Sequence, residues 1–291
     1  MALRWNVKAL FWVGVVALGN LSAAYAQTTR QTPLPSVVEL KQRVLANLKK
    51  SQAEQERYVC RTTSENDITH RNGNVKSREV KQYDMFFVNG QEIHELTSKN
   101  GKPLSASDQK KESERVQQQI KKNSDEQYIA HRDAENEKQL DVLLRMVRFT
   151  NGRRIDAGGR PTLLYDLSGD PNVHPKGMEE TFLHNMAGTI QIDEATGELV
   201  DLNARLGHDV KLAGGLLANL HKGFWIHVRQ HRYPDGVWLT ALAEGTGDAR
   251  AALFFHPYFR FKQEMDDCAL TTVTTTERTA EVVEKPTTSK P

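Results

Sequence analysis

Apolar and polar positions alternate in both arms of the stretch from Thr189 to Leu206. Ile190 and Ile192 oppose Gln191 and Asp193. After Glu194-Ala195-Thr196-Gly197, Val200, Leu202, Ala204 and Leu206 oppose Asp201, Asn203 and Arg205. A period of two over both arms predicts a β-hairpin with one apolar and one polar face. The same pattern predicts a strand over Tyr58–Ser64 and a meander over Val75–Leu104, turned by Asn89-Gly90 and Asn100-Gly101 between apolar arms. It resumes in Thr162–Leu167 and, past the Gly/Pro-containing loop Ser168–Gly177, in Thr181–Met186 leading into the hairpin. Phe224, Ile226 and Val228 then alternate with Trp225, His227 and Arg229. Tyr233-Pro234-Asp235-Gly236 is a turn, and Val237–Glu244 returns. Leu253, Phe255, Phe259 and Phe261 share the parity of a last strand.

Two stretches follow the helical period instead. Ser36 and Glu39 form a capping box ahead of Val37, Leu40, Val44 and Leu48, which share one face of a helix reaching about Glu56. From Glu135, Leu140, Leu143, Leu144 and Val147 recur at helical spacing up to Asn151-Gly152. Between these helices, Ser105–Lys138 is dense in Lys, Glu, Gln and Asp with Val116 and Ile120 as its scarce apolar residues. It predicts a solvated helix, broken at a fresh cap formed by Ser124 and Gln127. The fold class expected is α+β: a curved antiparallel sheet with helices packed on its concave side, in one domain over residues 36–269. Apolar residues on both faces near Asn89-Gly90, such as Phe86 and Phe87, require cover on each side of the sheet there.

The ends carry other signals. Arg4 and Lys8, the apolar run Ala9–Leu18 and Ala24-Tyr25-Ala26 make residues 1–26 a signal peptide cleaved before Gln27, followed by a polar leader over 27–35. The chain is therefore expected to be exported, periplasmic or secreted. Removing Arg4 and Lys8 from the 39 basic residues leaves 37 against 37 acidic ones, so a nucleic-acid surface is excluded as the main activity. The Thr-rich tail 270–291 lacks a packing pattern and is expected to be disordered. Cys60 and Cys268, one near each end of an exported domain, are expected to form a disulfide.

No GxSxG, HExxH, Walker loop or dinucleotide fingerprint occurs, and no cofactor is expected. His227 and His231 share strand parity but stand about 13 Å apart along a strand, too far for one ion. His174, His184, His208, His221 and His256 fall in separate segments. Asp266-Asp267 and Glu179-Glu180 are neighbours in predicted strands, so their side chains diverge, and Ser168 has no identifiable base. What remains is apolar stock: Val200, Leu202, Leu206, Phe224, Ile226 and Phe255 would line either a packed core or a ligand cavity between sheet and helices.

The element order, with Gly188-Thr189-Ile190-Gln191-Ile192-Asp193 and Thr196-Gly197-Glu198-Leu199-Val200, resembles the periplasmic lipoprotein-carrier superfamily, which includes outer-membrane lipoprotein-sorting proteins and related sensor domains. The resemblance spans Ser36–Cys268. It implies a half-open antiparallel barrel lined by helices and holding acyl chains or an acylated partner in the bacterial envelope. The insert Ser105–Lys138 is more polar than a lid over acyl chains, and no binding residue of that superfamily maps onto this chain. The expected function is non-enzymatic binding of a lipid, an acylated protein or another apolar ligand. The alternatives are an envelope-sensing module that meets a protein partner through the charged insert, and an enzyme of unrecognised type.

Overall fold

A computed structural model describes residues 33–212, 218–251 and 258–271. The expected signal peptide, most of the leader, Gly214-Gly215, Leu253, Phe254, Phe255, His256 and the tail beyond Thr271 lie outside the described residues. The chain opens with α1 (Val37–Gln55), then β1 (Tyr58–Thr69), β2 (Val75–Val88), β3 (Gln91–Lys99) and the short β4 (Lys102–Pro103). Two helices follow, α2 (Ala106–Asn123) and α3 (Glu126–Met146), then β5 (Val147–Asp156), β6 (Pro161–Gly169), α4 (Gly177–His184), β7 (Met186–Asp193) and β8 (Leu199–Leu206). The last elements are β9 (Val210–Leu212), β10 (Ala218–Leu220), β11 (Trp225–Arg232), β12 (Trp238–Ala251) and β13 (Tyr258–Leu270).

Eleven strands form one open antiparallel sheet in the order β4-β3-β2-β1-β13-β12-β11-β8-β7-β6-β5, with β9 and β10 laddered onto the end of β12. The turns explain much of the meander. Asn89 and Gly90 have φ of 48° and 73°, and Asn100 and Gly101 have 51° and 73°. Both pairs hold the left-handed conformation that tight hairpins need and that Asn-Gly adopts at low cost.

Register makes the two faces explicit. Across eight strands Tyr165, Ile190, Leu202, Val228, Ala243, Gln263, Ser64 and Lys81 stand side by side in one row. One residue along, Asp166, Thr189, Asn203, His227, Glu244, Lys262 and Glu65 form the row on the opposite face. The first row turns apolar toward β6–β8, where Leu163, Tyr165 and Ile192 pack with Leu40 of α1. The second row stays polar throughout. The Thr189–Leu206 hairpin is thus β7–β8 with one face apolar and the other polar, as its sequence predicts.

The helices do not share one side, contrary to expectation. Leu40 covers the Leu163–Tyr165–Ile192 face, whereas Val116 and Ile120 of α2 pack on Phe86, Val88 and Ile93. The strand neighbours Met85 and Phe87 point the other way, into a cluster with Tyr58, Cys60, Leu239 and Met265. The cause is the insert. α2 begins three residues after β4, at the sheet's edge, and it stays there: the Glu112 carboxylate accepts from the Leu96 N–H at 2.7 Å, and the Arg115 guanidinium donates to the His94 carbonyl. Those side chains occupy hydrogen-bonding groups that an edge strand otherwise presents to solvent. The expected solvated helix therefore has two fully committed apolar residues, and its cap falls at Asp125, whose Oδ1 accepts from the Tyr128 N–H at 2.8 Å, not at Ser124.

Two other boundaries differ. Val147 opens β5 instead of closing α3, and Asn151, with φ of 52°, is part of a β-bulge and not a helix cap. Thr181–His184 belongs to α4, where Phe182 meets Phe224 with ring centroids 6.1 Å apart. Cys60 and Cys268 form the expected disulfide between β1 and β13, and β13 extends to Leu270, into the expected tail.

Candidate ligand cleft

α1 organises one end of the sheet. Its capping box is formed, with Ser36 N–H donating to Glu39 Oε2 at 2.6 Å and Glu39 N–H to Ser36 Oγ at 3.2 Å. From there the helix touches three turns. Arg43 donates to the Glu194 carbonyl, and Asn47 Nδ2 donates to the Thr196 carbonyl at 3.2 Å. Gly197, at φ of 79°, lies so close that an added Cβ would come within 3.1 Å of the Val44 backbone nitrogen. Farther along, Gln52 packs on Gly90, and Gln55 Nε2 donates to the Trp238 carbonyl at 3.0 Å.

At the same end a cleft of about 410 Å³ opens between the β5–β6 turn, the start of β8 and the facing ends of β11 and β12. Ala157 and Gly158 form its rim. Val200 and Trp238 supply apolar wall, and Arg160, Gln191, Asp201, Arg229, Gln230, His231 and Arg232 supply polar groups. A β-bulge builds this corner: Arg229 opposes Leu242 while Gln230 opposes Thr240, so Ala241 is an extra residue in β12. Bulges re-aim side chains in this way.

The charges in the cleft divide into committed and uncommitted. Arg160 Nε donates to Asp193 Oδ2 at 2.7 Å. The fully buried Asp193 carboxylate also accepts from the Thr196 N–H and hydroxyl, each at 2.9 Å. Burial alone would raise its pKa, but Arg160 and Thr196 outweigh burial and hold it below the usual carboxylate range. Asp201 pairs with His227 Nε2 at 2.9 Å, and Glu244 lies 3.2 Å from His227 Nδ1. Burial disfavours the imidazolium, yet the two carboxylates prevail and the His227 pKa is raised. Arg229 and Arg232, in contrast, have no hydrogen-bond or ion-pair partner among the described residues. Buried polar atoms without partners also gather here. Of six such atoms among the described residues, three are Gln230 Oε1, Arg232 Nε and Trp238 Nε1, all on residues lining this cleft. Trp238 itself is 7% exposed. Buried polar groups normally find a partner, so their concentration at one place is a property of the site.

A second cleft, of about 430 Å³, lies by Tyr83 and His94 beside α2. Its polar side chains are mutually satisfied: Arg115 pairs with Glu112 at 2.6 Å and Lys81 with Glu79 at 2.6 Å, and His94 Nε2 lies 3.1 Å from the Glu92 carboxylate. No three His, Cys, Asp or Glu side chains converge for a metal ion among the described residues.

The structure distributes the residues singled out by sequence. Leu206 and Phe224 are buried in one cluster with Met186, Ala204 and Val210, and Leu202 and Ile226 pack against it with Phe182 and Phe259. Val200 stands apart from that cluster, in the cleft. Phe255 lies outside the described residues. Sequence reasoning passed over Arg229, Gln230 and Arg232 as site residues, and counted Trp238 only among the aromatic stock. The available signal was the basic run Arg229-Gln230-His231-Arg232, set one turn before Trp238. No family model, no curated protein and no solved structure matches the chain.

Proposed function

We propose that this is an exported, non-enzymatic binding protein, its sheet bent into a half-open barrel around α1, that takes an amphiphilic ligand at the α1 end. The observation that carries the reading is the cleft itself, in which the apolar wall of Val200 and Trp238 stands beside buried polar atoms that no protein group satisfies. Mixed apolar clefts with a few convergent polar groups are the usual form of small-molecule sites. The contacts of α1 support the bend. Five strand spacings separate β2 from β8, about 24 Å across a flat sheet. α1 nonetheless meets the β2–β3 and β7–β8 turns through Gln52 and Val44, which a helical rise sets about 12 Å apart. The disulfide is consistent with export to an oxidising compartment, and no described helix is long and apolar enough to cross a membrane.

Native mass spectrometry of protein isolated from its own envelope tests the reading. A bound amphiphile that organic extraction removes is the expected result. Protein that arrives empty, and that afterwards takes up no long-chain amphiphile, would refute it.

A further inference from the structure

We infer that the ligand of this cleft is an anionic amphiphile, its acid group seated by Arg229 and Arg232 and its apolar body on Val200 and Trp238. The inference rests on the binding-protein reading above and adds the charge and polarity of the guest. Three guanidinium groups line the cleft against one carboxylate. Arg160 is paired with Asp193, and Asp201 is hydrogen-bonded to His227, so Arg229 and Arg232 are the lining charges left without a partner among the described residues. The guanidinium is the side chain best suited to a planar or tetrahedral oxyanion, because its donors lie in a fixed fork. The unpartnered Arg232 Nε and Trp238 Nε1, both on residues that line the cleft, are donors, so the polarity left unmatched around it is chiefly that of N–H groups. Only Gln230 Oε1 offers an unpartnered acceptor. The volume, about 410 Å³, holds an acid group with part of an alkyl chain.

Carboxylate and phosphate monoester heads share this chemistry, and the probes separate them. Isothermal titration of the full mature protein with dodecanoate, dodecyl phosphate, dodecanol, dodecyltrimethylammonium and inorganic phosphate, each below its micelle concentration, is the experiment. At least one of the two anionic amphiphiles should bind ten-fold or more tighter than dodecanol, with dodecyltrimethylammonium weaker still, and whichever binds better identifies the head group. R229Q/R232Q should lose that preference and bind the anion as weakly as dodecanol. R229K/R232K should restore part of it, and the anion's affinity should fall with added salt while that of dodecanol does not. Because neither arginine has a described partner, the variants break no ion pair; circular dichroism and an unchanged dodecanol affinity report intact folding. Equal binding of dodecanoate, dodecyl phosphate and dodecanol, unaffected by R229Q/R232Q, overturns the anion assignment and leaves the binding-protein reading standing. Inorganic phosphate binding as tightly as either anionic amphiphile overturns the apolar half of the assignment. Binding of none of the five probes overturns both readings.

Discussion

Replacing Val116 and Ile120 of α2 with alanine should unlatch that helix from the sheet while leaving the rest of the fold in place. Val116 is 0% and Ile120 8% exposed, and both pack on Phe86, Val88 and Ile93. V116A removes two buried methyl groups, about 1.6 kcal/mol at ~0.8 each; I120A removes three carbons, about 2.4 kcal/mol by the same measure, before any cavity effect. The two sites share one contact set, so the sum of about 4 kcal/mol is a central value and not a strict total. What then holds α2 is the Glu112 and Arg115 hydrogen bonding to β3 and the Asn89 Nδ2 bond to the Asn123 carbonyl at 2.9 Å. At ~1.4 kcal/mol per factor of ten, local opening should become nearly a thousand-fold more populated. Hydrogen–deuterium exchange with mass spectrometry reads this directly. Peptides over 91–99 and 106–123 should exchange up to a thousand-fold faster in V116A/I120A, while those over 161–169 and 186–193 should not change. Freed β3 should also make the variant associate with rising concentration, measured by light scattering. Unchanged protection over 91–99 would refute the claim that α2 guards this edge.

Three further outcomes follow from single interactions. C60A/C268A should lower stability to urea by up to about 5 kcal/mol, the chain-entropy value for a bridge with a sequence separation of 208, and a reductant should reproduce the shift in the wild type. Asp67, 3% exposed, meets Arg78 at 2.8 and 2.9 Å and Arg260 at 3.2 Å; Arg78 outweighs burial, and the carboxyl titrates below its usual range. Its contribution is therefore present above the ordinary aspartate pKa of about 3.9 and is lost as pH falls through the lower folded value. D67N should cost about 3 kcal/mol at neutral pH, with the deficit shrinking at acid pH, as measured by urea midpoints across that range. For His227 the sign is opposite. Its raised pKa means stability is fully present below about 6.5 and lost as pH rises through the folded value, so H227Q should flatten the decline in urea midpoint above pH 6.5. Equal slopes in wild type and H227Q would show that the Asp201–His227–Glu244 bridge does not act in this way.

The sequence was most legible where local chemistry decides the conformation. Asn89-Gly90 and Asn100-Gly101 announce their turns, Ser36 and Glu39 their cap, and the Thr189–Leu206 alternation its two faces. It misled where two local rules coincide. Val147 continues the helical spacing of Leu140, Leu143 and Leu144, and Asn151-Gly152 looks like a helix stop, yet β6 offers Val147–Asp156 a partner and the strand wins. Thr181 and Phe182 suit a strand by composition, but Thr181 Oγ1 bonds back to the Gly177 carbonyl at 2.6 Å within α4. The cleft was hidden for a different reason. Arg229 and Arg232 look like any solvent-facing strand residues, and what distinguishes them is that no carboxylate among the described residues, not even the cross-strand Asp201, bonds to either one. That depends on Asp201 and Asp193 being engaged by His227 and Arg160, contacts between residues 26 and 33 positions apart.

The pairing of β1 with β13 has a kinetic meaning. Every other neighbouring pair in the sheet lies within Tyr58–Pro103 or within Val147–Leu270, so the sheet consists of two sequence-local blocks joined along one seam. Each block can zip up from short-range contacts, but the seam must wait for the last strand to be synthesised and then bear the loop-closure entropy of bringing Tyr58 to Leu270. The seam should therefore form late in folding. A chain truncated before Tyr258 should yield two half-sheets with raw edges instead of one protein.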